Sequence, residues 1–249
     1  MQPATRQPLL SPEGLHPSLW RGSQLARAGQ RCLPTGYAAL SSELPGGGWP
    51  VGTLIDLLVA QPGIGEMRLL RPVLSTLPAH RRIALLQPPY TPHVASWITL
   101  GLAPSQLLWL KPERTVDALW AAEQVLKNGS CSALLYWQPH IRPESLRRLH
   151  LAAQSGDALF FMFRPAAAAQ DSSPSPLRLL LEPAGDDLRL HIVKRRGPSH
   201  NQAIVVSLNP PAADTCVPYP PTSIEQSDAL VDQRPSDATQ PGRAVPALV

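Results

Sequence analysis

Residues 53–59, Thr-Leu-Ile-Asp-Leu-Leu-Val, are an apolar run interrupted only by Asp56, and Ala60-Gln61-Pro62-Gly63-Ile64-Gly65 follows at once. A near-continuous apolar run is what a parallel strand covered on both faces requires. The proline and glycines then make a tight turn, and Met67, Leu69, Leu70, Val73, Leu74 and Leu77 recur at helical spacing. Pro72, inside that stretch, predicts a kink or a late helix start. Strand, glycine turn and helix in this order are the setting of the phosphate-binding motif G-x-x-x-x-G-K-[ST]. The turn glycines Gly63 and Gly65 are present, but Glu66 stands at the lysine position and Met67 at the Ser/Thr position. A carboxylate repels phosphate, and a thioether offers Mg²⁺ no oxygen ligand. The stretch therefore reads as a P-loop scaffold that has lost its ATPase chemistry.

Strands and helices go on alternating after it. Strands are expected over 82–86, 107–110, 132–137 and 158–163, and helices over 91–100, 115–127 and 143–154. The 91–100 helix is expected to be capped by Thr91, with Pro92 at its first position. In 115–127, Val116, Leu119, Trp120, Val125 and Leu126 are the expected apolar face, Glu123 and Lys127 an i,i+4 pair, and Asn128-Gly129 the stop. Beyond a polar loop at 165–176, strands over 177–181, 188–194 and 203–208 follow without helices, the first two joined by a turn at 184–187. This pattern predicts a mostly parallel α/β sheet flanked by helices, with an antiparallel C-terminal extension.

The expected organisation has three parts. Residues 1–32 form an arm with a short helix at 18–29 carrying Trp20, either a core anchor or a docking residue. Residues 33–208 form the α/β domain. Residues 209–249, with eight prolines and five acids, read as a disordered tail. Pro45-Gly46-Gly47-Gly48-Trp49-Pro50 is either a structural turn or a backbone that must approach something closely. The three cysteines, Cys32, Cys131 and Cys216, have no C-x-x-C spacing, which argues for a reducing compartment and against a zinc site. No signal-like or membrane-length apolar run is seen, so a soluble cytoplasmic protein with no membrane contact is expected. Residues 18–208 carry 19 Lys+Arg against 12 Asp+Glu, a mildly basic balance that permits an acidic partner or nucleic acid without demanding either.

No catalytic constellation is legible. Strands 82–86 and 132–137 end in Gln87 and Gln138, so neither supplies the acid that Mg²⁺ or an attacking water needs. The seven histidines show no H-x-x-x-H spacing, and His191 reads as outward-facing on its strand. Cys131 reads as a small core hydrophobe, and Trp49, Trp97, Trp109, Trp120 and Trp137 as core packing. No cofactor, no metal and no enzymatic activity are expected. Lys194-Arg195-Arg196-Gly197 ends a strand, and is either an exposed strand end or a basic anion- or partner-binding knob.

The order of elements resembles the RecA-type core over about residues 33–208. Within it, LPTGYAAL…LPGGGWP (33–50), QPGIGEMRLL (61–70), TVDALWAAEQVLKNG (115–129), LRRLHLAAQSGDALFFMFRP (146–165) and LRLHIVKRRG (188–197) resemble the ImuA family of translesion-synthesis proteins, which is related to the cell-division inhibitor SulA. The SulA likeness is strongest over 115–165; SulA-type chains lack the PGGGWP segment and the closing KRRG strand. The resemblance implies a non-catalytic accessory of SOS-induced mutagenic repair. Its implied partners are ImuB (an inactive Y-family polymerase relative), an error-prone C-family polymerase and RecA, with DNA contacted at most indirectly. Lys194, Arg195 and Arg196 stand where a RecA strand end reaches a neighbouring subunit's ATP, so they and Trp20 are the expected partner-binding residues. The alternative is a SulA-like inhibitor of FtsZ polymerisation.

Overall fold

The structure, a computed structural model, describes residues 31–197 and 202–209. The expected arm and helix at 1–29, Trp20 with them, and all of the expected tail beyond Asn209 lie outside the described residues.

The described chain runs β1 (Cys32–Pro34), α1 (Ala38–Glu43), β2 (Gly48–Pro50), β3 (Thr53–Val59), α2 (Glu66–Ser75), β4 (Arg82–Leu86), α3 (Val94–Thr99), β5 (Leu107–Leu110), α4 (Thr115–Asn128), β6 (Cys131–Trp137), α5 (Pro143–Gln154), β7 (Leu159–Pro165), β8 (Leu177–Ala184), β9 (Asp187–Lys194) and β10 (Ile204–Val206). Eight strands form one sheet in the order β10-β9-β8-β3-β7-β6-β4-β5, and β1 and β2 pair separately. The five pairings from β8 to β5 are parallel, while β8-β9 and β9-β10 are antiparallel. The large mostly parallel sheet with its antiparallel extension is the architecture the alternation predicts.

Central strands β3, β6 and β7 are buried at nearly every position because each face carries its own core. On β3, Ile55, Leu57 and Val59 join the core under α1, α2 and α3, while Leu54 joins the core under α4 and α5. This is the period-two alternation of a strand, made invisible in the sequence by two apolar environments.

Pro72 neither breaks nor delays α2, which runs from Glu66 through Ser75. A proline cannot donate to the carbonyl four residues back. Here the Tyr37 hydroxyl donates to that carbonyl, Arg68 O, at 3.0 Å. Tyr37 is placed by its neighbours. The Thr35 hydroxyl accepts the Tyr37 N–H at 3.0 Å, and Gly36, at φ +86°, lies so close to Pro72 that a Cβ would come within 2.2 Å of the proline Cβ. The Leu33–Tyr37 motif is thus a patch over the proline in α2. Gly48 has a comparable role: a Cβ there would lie 2.0 Å from the Leu33 carbonyl oxygen, its partner strand in the small pair. The PGGGWP backbone approaches its own chain, and the buried Trp49 ring meets Phe161 edge-on at 5.3 Å.

Two expectations about helices are corrected. The helix predicted over 91–100 spans only Val94–Thr99, with His93 as N-cap. Thr91 therefore lies two residues before the N-cap and does not cap the helix. In α4 the buried residues are Ala118, Ala122, Val125 and Leu126, whereas Val116 and Trp120 are 65% and 63% exposed. The small face goes inward because α5 packs beside it with its own Ala152 and Ala153. The Glu123–Lys127 pair forms at 2.7 Å, and Gly129, at φ +63°, ends the helix as expected.

Candidate functional site

The loop after β3 holds its own anion. Glu66, 5% exposed at the first turn of α2, accepts the Gly63 N–H at 2.8 Å through one carboxylate oxygen and the Gly65 N–H at 3.2 Å through the other. Glycine amides at a helix start are the donors a phosphate uses. Here a side chain from the same loop takes them, and its charge suits the positive helix end. Gly63 and Gly65 adopt φ of +89° and +113°, in the left-handed region that glycine favours. Leu208 closes over it, at a distance where a Cβ on Gly65 would come within 2.5 Å of its methyl. The hollow beside Glu66, about 270 Å³, is lined by Met67, Tyr90, Trp97 and Trp137 among others. These side chains offer phosphate no cation.

The neighbouring strand ends are also without carboxylates. Gln87 follows β4 and donates to Pro112 O at 3.3 Å; Gln138 follows β6, accepts the Tyr136 hydroxyl at 3.3 Å and donates to His140 O at 2.7 Å. Both glutamines tie down local backbone. Burial pushes the Tyr136 phenol far above its usual range.

The charged residue of β3 has a structural task that the sequence reading missed. Asp56 is fully buried, and its Oδ2 lies 3.1 Å from Arg178 Nε and 3.3 Å from Arg164 Nη1. Arg178 also donates to the carbonyls of Ala168 at 2.6 Å and Asp171 at 3.0 Å, and Arg164 pairs with Asp171 at 2.7 Å. Two arginines on β7 and β8, the strands on either side of β3, thus pin the 166–171 turn above one buried carboxylate. The available signal was an acid and two arginines set singly in otherwise apolar strands, which burial forces to find one another.

The basic cluster at the end of β9 does not act as one knob. Arg195 turns back to α1, donating to the Glu43 carbonyl and lying 3.3 Å from the Glu43 carboxylate. Lys194 ends β9 and donates to Ser173 O at 2.9 Å, and Arg196 lies beyond the strand. Both raise the local potential at His150 on α5. Burial, then the charges of Arg196 and Lys194, hold His150 below the ordinary imidazole range. The expectation of three cations presented together is corrected: Arg195 is a clasp between β9 and α1.

Other expected positions fall in ordinary places. Cys131 is buried in β6, and burial raises its thiol pKa. His191 lies 3.2 Å from Glu182 across the β8-β9 pair. Trp49, Trp97 and Trp137 are buried, with Trp137 stacked on Phe163 at 4.5 Å, but Trp109 is 41% exposed on edge strand β5 and Trp120 faces solvent. The core reading of those last two is corrected: an edge strand and the outer face of α4 have no layer above them. Among the described residues, no group of three metal-ligating side chains is placed to hold an ion, and no helix is long and apolar enough to cross a membrane.

No protein-family model matches the chain. Among curated proteins it is similar to the cell division inhibitor SulA of Pectobacterium atrosepticum, 35% identical over 109 residues, 42% of this chain and 63% of the relative. It is 30% identical over 116 residues to SulA of Serratia marcescens, 46% of this chain and 66% of the relative. It is 28% identical over 127 residues to SulA of Photorhabdus laumondii, 51% of this chain and 68% of the relative. The chain therefore spans about two thirds of those relatives, and about half of it lies outside each match. Among solved structures, SulA from Pseudomonas aeruginosa superimposes with a TM-score of 0.38 at 23% identity, covering 45% of this chain and 97% of that one, too loosely to bear on the fold. The sequence matches make the chain SulA-related.

Proposed function

We propose that this chain is a non-catalytic protein of the SOS response that acts by binding another protein, on a RecA-like scaffold whose nucleotide loop is closed by its own Glu66. The observation that carries the non-catalytic part is the Glu66 carboxylate seated on the Gly63 and Gly65 amides. It fills the donors a phosphate would use, and no acid stands at the ends of β4 or β6 to hold Mg²⁺. The strand–loop–helix of β3 and α2 at the centre of a parallel sheet supports the RecA-like reading.

The similarity to SulA supports the first specific reading, a cell-division inhibitor that blocks FtsZ polymerisation. A second reading, an ImuA-type accessory of translesion synthesis acting with ImuB, an error-prone C-family polymerase and RecA, is favoured by another observation. The two segments of the ImuA resemblance that SulA-type chains lack, PGGGWP and KRRG, are built into the fold: Gly48 lies against the Leu33 carbonyl, Trp49 packs on Phe161, and Arg195 clasps α1. With Arg195 so engaged, contact with a RecA filament's nucleotide would fall to Lys194 and Arg196.

A pull-down of the purified protein against FtsZ, ImuB and RecA filaments, with and without ATP analogue, separates the readings. Capture of FtsZ alone, with loss of its GTPase activity, establishes the division inhibitor. Capture of ImuB or RecA without FtsZ establishes the translesion role. Binding to none of them, or ATP hydrolysis by the purified chain, overturns the proposal.

A further inference from the structure

A cleft of about 750 Å³ opens where α4 and α5 begin, on the sheet face opposite α2. Its wall is of two kinds. Val116, Leu119 and Ile141 supply apolar surface, and Arg142, Arg148 and Arg164 supply positive charge. The acid in the wall, Asp171, is held by Arg164 at 2.7 Å. Arg148, at 3.1 Å, shares Glu123 with Lys127, at 2.7 Å, so two cations meet one carboxylate there. The balance of the cleft is positive.

A further observation favours a negative occupant. Helices α4 and α5, of 14 and 12 residues, both start at the cleft with arginines, Arg114 and Arg142, as N-caps that make no side-chain bond to the first turn. Uncapped amides at a helix start attract carboxylates. Beside the cleft, Val116 and Trp120 lie one helical turn apart and more than half exposed. Large apolar side chains beside arginines are the composition of protein-binding hot spots. A nucleic-acid strand would need a row of cations along its backbone and several stacking rings. Here Arg164 is already bonded to Asp56 and Asp171 and Arg148 shares Glu123, so the cations form no such row.

We propose that this cleft docks an acidic peptide segment carrying large apolar side chains, its carboxylates meeting Arg142 and Arg148 and its apolar groups lying along Val116, Leu119 and Trp120. The proposal rests on the protein-binding reading above and specifies its surface and the chemistry of the partner's contact.

The test is fluorescence anisotropy of the full chain with three labelled probes: a short peptide of alternating Glu and Leu, the same peptide with Ser for Leu, and oligothymidine. The Glu/Leu peptide is expected to bind best. Arg142→Ala with Trp120→Ala is expected to weaken it by about tenfold or more, and since both side chains are exposed the fold should survive. Circular dichroism melts check that the variant is folded, and Arg142→Ala alone serves if the pair melts early. Equal binding of the Glu/Leu peptide to parent and variant, no peptide binding at all, or tighter binding of oligothymidine overturns the proposal. If the same variant still captures its protein partner as the parent does, the cleft fails while the protein-binding reading stands. If the parent captures no partner, that reading fails whatever the peptide does.

Discussion

Glu66 shows how one residue of a loop can occupy that loop's own backbone donors. The glycines are left-handed, and the carboxylate sits on their amides at the helix start. Tyr37 and Pro72 are coupled in the same local way. If the Tyr37 hydroxyl substitutes for the missing proline N–H, Tyr37→Phe leaves the Arg68 carbonyl short of a donor and costs about 1 kcal/mol. In a Pro72→Ala background the helix supplies its own N–H, so the same change is expected to cost much less; urea midpoints of the four proteins measure the difference. His150 makes a pH prediction. Its folded pKa lies below the ordinary value of 6.5, by burial first and then by Arg196 and Lys194. The unfolded chain therefore takes up this proton first as pH falls, and stability drops below about pH 6.5 until the folded form also protonates. Arg196→Ala is expected to move the His150 NMR titration midpoint upward and to flatten that acid-side loss.

Helix α4 inverts the usual reading of an amphipathic stripe. Its bulkiest residue, Trp120, faces water and its alanines face α5. Helical spacing alone cannot distinguish a face that buries large side chains from one that needs small ones, because the choice is made by how closely the neighbouring helix approaches. Ala122→Leu should accordingly cost about 1–3 kcal/mol by overpacking, while Trp120→Ala should stay within about 0.5 kcal/mol. Chemical denaturation of both variants checks the order; a larger cost for Trp120→Ala would place the tryptophan in the core after all.

For the molecule as a whole, the closed loop predicts indifference to nucleotide. A ligand at a hundred times its Kd stabilises a fold by about 2.7 kcal/mol, an easily measured thermal shift. Millimolar Mg-ATP is expected to leave the melting temperature of this chain unchanged. The double change Glu66→Lys with Met67→Thr is expected to leave it unresponsive too, because Gln87 and Gln138 still offer no carboxylate for the metal. The parallel sheet and its antiparallel extension were legible in the residues, because apolar runs and glycine turns are local properties. The self-occupied loop, the Asp56–Arg164–Arg178 network, the clasp of Arg195 on Glu43, the outward Trp120 and the cationic cleft were not. Each depends on which residues distant in the chain become neighbours, and on whether a second layer of structure covers them, and those are settled only when the sheet and its helices pack.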